Sequence, residues 1–460
     1  MVTPQALLDA ALESTTADHC VVLLRHSSTA NLRWANNTLT TNGVMTDVQA
    51  TVISVVDGSQ GAAAGVLTRS ATTPSQITML VSAADETARA ASPAADGAPL
   101  PDSAGQGDFD EPEANTGIDV FTDFAERLGQ AFGRANATQQ LLYGYVEHDV
   151  TTTYLASSTG LRLRHEQPTG HIGITQKPGD LSTSAWVGQA VEQIDEIDVE
   201  VLTDELTRRV GWAKRRVDLP AGRYETILPP TAMADLAIYA YWVSSARDAH
   251  EGQTVFSDPA GGTRVGQRLA KPGVRMHSDP HFAGLAACPF VVASSSSSTE
   301  SVFDNGLPLT PTDWIGDGVL KALSTSRHTA RLTELADNPA IDNLILSVDG
   351  GSGSVEDLVA ATERGLLLTC LWYIREVDPH TLLLTGLTRD GVYLVEGGEV
   401  VGAVNNFRFN ESPIDLLSRF DAAGETVRSF SREWGDYFPR TATPPLRVPD
   451  FNMSTVSRAS

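Results

Sequence analysis

Asp47-Val48-Gln49-Ala50-Thr51-Val52-Ile53-Ser54-Val55-Val56, closed by Asp57-Gly58, reads as a β-strand running into a turn. Val, Ile and Thr crowd it, and β-branched side chains suit a pleated, half-buried surface. Upstream, Cys20-Val21-Val22-Leu23-Leu24-Arg25 reads as a buried strand. Asn31-Leu32-Arg33-Trp34-Ala35 and Asn37-Thr38-Leu39-Thr40 alternate with period two, and Thr40-Thr41-Asn42-Gly43 is expected to turn the chain. Ahead of these strands Leu7, Leu8, Ala11 and Leu12 recur at helical spacing. The pattern is a helix beside an antiparallel meander, and it sets an α+β class.

Working outward, residues 119–135 form an amphipathic helix with Phe121, Phe124, Ala125, Leu128 and Phe132 on one face. Strands follow at 140–147, 151–157 and 161–165, then a helix at 202–215. Pro220-Ala221-Gly222-Arg223-Tyr224 leads into the strand Glu225-Thr226-Ile227-Leu228, and Pro229-Pro230 starts a helix over 233–246. The tail is a meander of strands at 369–377, 382–389, 391–396 and 400–409, with Asp390-Gly391 and Gly397-Gly398 as turns. The expected organisation is an N-terminal α+β part with helices on an antiparallel sheet, and a β-rich C-terminal domain of antiparallel strands. Its pieces are 1–84, an acidic flexible loop at 85–116, 117–219, and 220–460. In that loop Ala, Pro, Gly, Asp and Ser dominate, and too little apolar surface is present to offset ordering entropy.

The chain of 460 residues carries 57 acidic against 33 basic side chains, a formal charge of -24. Nucleic-acid contacts need clustered Lys and Arg, and an anionic membrane repels such a charge, so neither is an expected partner. Three cysteines, Cys20, Cys288 and Cys370, lie far apart, with no CxxC pair and no disulfide framework. The N-terminal stretch has no basic n-region or apolar h-region, and no apolar run is long enough to span a bilayer. A cytoplasmic protein is expected.

No stretch declares a catalytic centre. His165-Glu166-Gln167-Pro168-Thr169-Gly170-His171 is similar to a zinc-protease motif, but its histidines are six apart with Pro168 and Gly170 between them. Two imidazoles on one helix face cannot be built that way, so a turn is expected. His277-Ser278-Asp279-Pro280-His281 reads as a surface loop; a metal site from His277, Asp279 and His281 is the alternative. His26 with Ser27 and Ser28, and Ser326-Arg327-His328, lack the G-x-S-x-G elbow of a serine hydrolase. Gly350-Gly351-Ser352-Gly353-Ser354 lacks the Lys-Ser/Thr of a P-loop and reads as a turn without ligand. Cys370, within an apolar run, reads as a packing residue.

Several stretches together carry a family likeness: Thr263-Arg264-Val265-Gly266 through Asp279-Pro280, Gly316-Asp317-Gly318-Val319-Leu320-Lys321 through Ser326-Arg327, and Gly365-Leu366-Leu367-Leu368-Thr369 on to Glu396-Gly397-Gly398-Glu399 and Asn405-Asn406-Phe407-Arg408-Phe409-Asn410. The meander at 31–53 and Gly222-Arg223-Tyr224 stand in the same order. The chain resembles the TldD/PmbA family, whose PmbA member is also called TldE, over nearly its whole length except the acidic loop. The resemblance implies a metallopeptidase-related protein from a family also described as modulators of DNA gyrase. In that family a catalytic subunit with an HExxxH helix and a late zinc-binding cysteine pairs with a homologous partner to degrade unfolded peptides.

This sequence departs from the pattern in both places. The helix falls on Ala237-Ile238-Tyr239-Ala240-Tyr241-Trp242, and residues 428–441 contain no cysteine. The likeness therefore implies a non-catalytic, TldE-like subunit, inactive without a TldD-like homologous catalytic partner. No cofactor is expected in this chain, and zinc is expected in the partner. Unfolded or extended peptides are the implied ligands, with Tyr239, Tyr241 and Trp242 as candidates to line a peptide groove. A stand-alone metallopeptidase or hydrolase with an unrecognised site is the alternative. A regulator of a nucleic-acid enzyme is a third reading.

Overall fold

A computed structural model describes residues 2–102 and 108–457. Helix α1 (Pro4–Ser14), capped by the Thr3 hydroxyl, leads into strands β1 (His19–Ala35), β2 (Thr38–Gly58) and β3 (Gly61–Ser70). Helices α2 (Pro74–Ala90) and α3 (Thr122–Ala137) follow, then β4 (Gln140–Ser157), β5 (Arg162–Pro178), β6 (Ala185–Val191) and α4 (Val199–Trp212). The strands form one antiparallel sheet in the order β3-β2-β1-β4-β5-β6. The β1–β2 turn falls at Asn36 and Asn37, with φ of 50° and 58°, and not at residues 40–43. Asparagine tolerates this left-handed backbone, whereas Thr41, Asn42 and Gly43 pair with Arg33, Leu32 and Asn31 inside the ladder.

Side chains alternate across a strand, so the sheet has two unlike faces. On one face Val22, Leu24, Val52 and Tyr154 pack under α1 and α2, and Leu32, Trp34, Leu142 and Ile172 pack under α3 and α4. On the other, Val21, Leu23, Ile53 and Leu155 meet Phe290, Val302 and Phe303 of the C-terminal part. Burial of this seam, at roughly 25 cal/mol per Å² of apolar surface, joins the two parts. Their approach is close at Gly306, where φ is 87° and a Cβ would lie 2.5 Å from Leu161.

The acidic segment differs from expectation at its start. Residues 85–90 complete α2, and Asp85 is buried. Its carboxylate accepts hydrogen bonds from Ser54 Oγ (2.6 Å), Thr16 N (2.6 Å), Thr16 Oγ1 (2.9 Å) and Thr15 Oγ1 (3.0 Å). Composition alone could not reveal that these distant hydroxyls satisfy it. Beyond α2 the described segment crosses the surface without regular structure, held where Leu100 joins the seam and Phe109 meets the Tyr154 ring edge-on at 6.0 Å. Residues 103–107 of the expected loop lie outside the described residues.

The C-terminal part contains two sheets. A six-stranded sheet is built round Val274–Ser278 and Leu344–Val348. A ten-stranded sheet includes Gly222–Leu228, Arg364–Leu368, Leu371–Asp378 and Leu446–Val456. Most pairings are antiparallel; Gly222–Leu228 beside Arg364–Leu368 is parallel. The strand expected over 400–409 splits at Asn405-Asn406 into Glu399–Val404 and Phe407–Glu411. Helix α5 (Pro230–Trp242) is apolar almost all round and buried in the largest core, with Leu344 and Leu346 of one sheet and Leu366, Leu368 and Val448 of the other. Among the described residues no helix is long and apolar enough to cross a membrane.

Candidate functional site

The seam covers only one end of the helix-free sheet face. At the other end the alternation places polar residues on that face: Arg25 and Arg33 on β1, Tyr145, Glu147 and Asp149 on β4, and His165, Thr169 and His171 on β5. The chain from Phe430 to Arg440, with Trp372, stands opposite and encloses a cleft of about 1290 Å³ between the two parts. Gly188 allows this wall to approach, because a Cβ there would lie 2.4 Å from Trp186 and 2.7 Å from Phe430.

The opposing wall is clamped from behind. Asp235 of α5 accepts from the Ser431 hydroxyl and from Glu433 N (2.9 Å), and Trp434 Nε1 donates to the Asp235 carbonyl (3.0 Å). The Glu433 carboxylate accepts from Tyr373 N (3.1 Å) and Ile374 N (3.2 Å). Tyr373 has φ of 52°, so this carboxylate fills a backbone turn that aims two N–H groups at one anion. Asp235 is fully buried, one carboxylate oxygen has no partner among the described residues, and burial raises its pKa to about 7.

Within the cleft Glu147, Asp149 and Asp342 are engaged, whereas Asp436 is exposed and, among the described residues, meets only His171. The Tyr145 hydroxyl donates to Glu147, which faces His171 across the β4–β5 ladder. Burial, then the bond and charge of Glu147, push the Tyr145 phenol up. Asp149 accepts from Thr29 and Thr151, both at 2.8 Å. Asp342 pairs with Arg440, which also donates to Thr169 (3.0 Å). The His171 ring stacks on Phe430 at 5.4 Å, with Nε2 3.7 Å from Asp436; burial outweighs the nearby carboxylates and lowers its pKa. Burial also lowers His165, whose Nε2 contacts Gln167 Oε1 at 3.0 Å.

Three cleft arginines are not so engaged. The Arg432 guanidinium lies over the rings of Trp372 at 4.1 Å and Trp186 at 4.7 Å, and Arg33 over Tyr145 at 5.7 Å. Among the described residues Arg25, Arg33 and Arg432 pair with no carboxylate and donate no side-chain hydrogen bond.

The segment from His165 to His171 is therefore not a turn. It belongs to β5, and Pro168 is tolerated because β6 begins pairing only at Gly170, so Pro168 is at a sheet edge. Both histidines reach the cleft, while Glu166 pairs with Arg164 at 2.8 Å. His277 and Ser278 are likewise not a surface loop. They end the strand Val274–Ser278 and are buried, with Ser278 donating to Asn343 O (2.5 Å) and accepting from Trp314 Nε1 (2.8 Å). Asp279 accepts from His281 N (2.9 Å) at an exposed turn. Ser326 caps the helix Arg327–Thr333, Ser28 donates to Thr116 O (2.8 Å), and Ser354 caps Val355–Ala360 after the glycine-rich turn. Cys370 packs behind the cleft with Trp186, Ala190 and Phe430.

Tyr239, Tyr241 and Trp242 do not line this cleft. They back its opposing wall. Tyr239 and Trp242, three apart on one helix face, contact Trp434 at 5.8 and 5.2 Å, and Trp242 is 42% exposed. Tyr241 points the other way into the core, its hydroxyl donating to Ile341 O (2.9 Å) and accepting from Ile341 N (2.8 Å). As a core residue Tyr241 cannot wall a groove. Sequence reading noticed His165 and His171 but expected them at a turn, and it missed the arginines of the cleft. Their signal was the alternation of Tyr143, Tyr145, Glu147 and Asp149 with Leu142 and Val146, which an ordinary solvated sheet face would also show.

Residues 221–455 match the PmbA/TldA metallopeptidase C-terminal domain. The fold is similar to TldE from Thermococcus kodakarensis, with a TM-score of 0.78 at 15% identity over 97% of this chain and 99% of that one. It is also similar to two proposed modulators of DNA gyrase. That of Bacteroides thetaiotaomicron VPI-5482 gives 0.77 at 12% identity, covering 99% and 100% of the two chains. That of Thermotoga maritima MSB8 gives 0.74 at 16%, covering 94% and 95%. Among curated proteins none matches significantly. A metallopeptidase description raises the question of a metal on α5. The residues there do not fit one: Asp235 is the single ligand-type side chain of Pro230–Trp242, and it already serves Ser431 and Glu433. Among the described residues no three His, Cys, Asp or Glu side chains converge to hold a metal ion.

Proposed function

The chain belongs to the PmbA/TldD family, and from that membership we propose that it is the non-catalytic, TldE-like subunit of a two-subunit peptidase. In this reading it holds an unfolded, extended peptide in the cleft, and a homologous catalytic subunit supplies the zinc. The observation that carries the reading is the chemistry of α5. Where the resemblance implies a ligand-bearing helix, this chain has a buried apolar helix whose lone carboxylate braces the cleft wall. The cleft supports the peptide part. Aromatic rings, arginines and hydrogen-bonding groups alternate along its sheet floor, a lining suited to a backbone with mixed side chains.

The test is purification of the full chain alone and with a catalytic homologue, followed by metal analysis and hydrolysis of an unstructured peptide. The expected result is zinc well below one equivalent in the isolated chain, and cleavage only when the homologue is present. Tight stoichiometric zinc together with cleavage by the isolated chain would overturn the proposal.

A further inference from the structure

The cleft has an imbalance that its peptide reading leaves unexplained. In a protein of net charge -24, carboxylates are available to pair with any cation. Glu147, Asp149, Asp342 and Glu433 in the cleft have internal partners and Asp436 stands exposed beside His171, while among the described residues Arg25, Arg33 and Arg432 pair with no carboxylate. Arg432 is the sharpest case. Its guanidinium lies over two indole faces, and its Nε is buried without an acceptor. Ring contacts hold the plane of the group but use none of its in-plane N–H donors. A guanidinium held in that way is arranged for a planar acceptor with two oxygens.

The sheet register places these cations. Arg25 and Arg33 are eight residues apart on one face of β1, roughly 26 Å at about 3.3 Å per residue. Arg33 pairs across β4 with Tyr145, which pairs across β5 with Gly173, and Gly173 pairs with Gly188 of β6, beside Trp186. Arg432, over Trp186, therefore belongs to the Arg33 end of the cleft, while Arg25 lies toward His165, in register through Thr153. The floor is long enough for about eight extended residues, with a cation at each end.

We propose that the Arg432 end of the cleft is a carboxylate-binding subsite, and that it selects extended peptides presenting a carboxylate there, either the C-terminus or an acidic side chain. This rests on the reading of the cleft as a peptide site. The test uses the full chain, alone and with its catalytic homologue, and fluorescent octapeptides with one Glu near the C-terminus. Three forms are compared: the free acid, its C-terminal amide, and the free acid with Glu replaced by Gln. Anisotropy gives Kd for the wild type, Arg432→Gln and Arg432→Lys, and thermal melts establish that each variant is folded. Glutarate, a short dicarboxylate, is titrated separately as a probe free of peptide.

Loss of a hydrogen-bonded charge partner is expected to weaken binding about tenfold to a hundredfold in Arg432→Gln, with Arg432→Lys between. If only the amide loses this dependence on Arg432, the C-terminal carboxylate is the ligand; if only the Gln peptide loses it, the acidic side chain is. Equal affinity of all three peptides for wild type and Arg432→Gln would overturn the subsite while leaving the peptide cleft standing. Failure of every peptide to bind, with glutarate raising the Tm of wild type but not of Arg432→Gln, would keep the subsite and overturn the peptide reading. Failure of both probes would overturn both.

Discussion

Replacing Asp235 by asparagine isolates one electrostatic cost at the centre of the protein. The Asp235 carboxyl is fully buried on α5, and burial raises its pKa from 3.8 to about 7 against the opposing bonds from Ser431 and Glu433 N. In the unfolded chain the group ionises near its ordinary value. Between these values the folded state holds a proton that the unfolded state has released. The group's contribution to stability is therefore fully present below about 3.8, and it is lost as pH rises through about 7. At about 1.4 kcal/mol per pK unit the full loss is about 4 kcal/mol, of which roughly 3 kcal/mol falls between pH 5 and pH 8. Asparagine does not titrate. Its oxygen can still accept from Ser431 and Glu433, but its amide nitrogen replaces an oxygen that has no partner, costing about 1–3 kcal/mol at any pH. Asp235→Asn should thus be less stable than wild type at pH 5 and equal or more stable at pH 8. For a chain of this length 1 kcal/mol corresponds to roughly 1 °C, so the Tm difference between variant and wild type should move by about 3 °C in the variant's favour. Paired melts at the two pH values measure it. A difference that stays the same at both would show that Asp235 is ionised in the fold and would refute the argument.

Other consequences follow from residues around the site. Tyr241→Phe should destabilise by about 1–3 kcal/mol in denaturant titration, because both Ile341 backbone groups lose their buried partner, whereas Trp242→Ala, on the exposed side of the same helix, should cost less. Asp85 has the opposite pH behaviour from Asp235. Burial alone would raise its pKa, but the bonds led by Ser54 hold it below its ordinary value, so its contribution is present above the unfolded value and is lost as pH falls through the folded one. Asp85→Ala should cost about 2–4 kcal/mol at pH 7, measured by the same titration, and proportionally less in acid.

The fold class was legible because it depends on local patterns. The alternation of β1, β2 and β4 and the amphipathic face of α3 follow from side-chain periodicity, and the structure has these elements near their expected places. Misreadings occur where a local signal competed with pairing. Thr40-Thr41-Asn42-Gly43 has turn-forming residues, but Asn36-Asn37 sits where the ladder of β1 and β2 must reverse. Pro168 and Gly170 argue against regular structure, yet an edge position leaves Pro168 no hydrogen bond to forfeit. His277 looked exposed because of Pro280, whereas its neighbour Ser278 is held by Asn343 and Trp314 from other strands.

The site divides the same way. The absence of a zinc-ligand pattern on α5 and of a cysteine over 428–441 was fully determined by the sequence, since no fold can supply a side chain that is not encoded. Its charge and composition argue against nucleic acid as a partner without any coordinates. The tertiary structure alone decided which residues share the cleft. Arg33, His171 and Arg432 are separated by well over a hundred residues in each case, and they meet because a sheet face left bare of helices is closed by the chain around residues 430–440. That closure depends on a carboxylate from α5, a backbone turn at Tyr373 and two ring contacts on one guanidinium. Such contacts depend on long-range packing, and periodicity records only which way a side chain points, not what will stand opposite it.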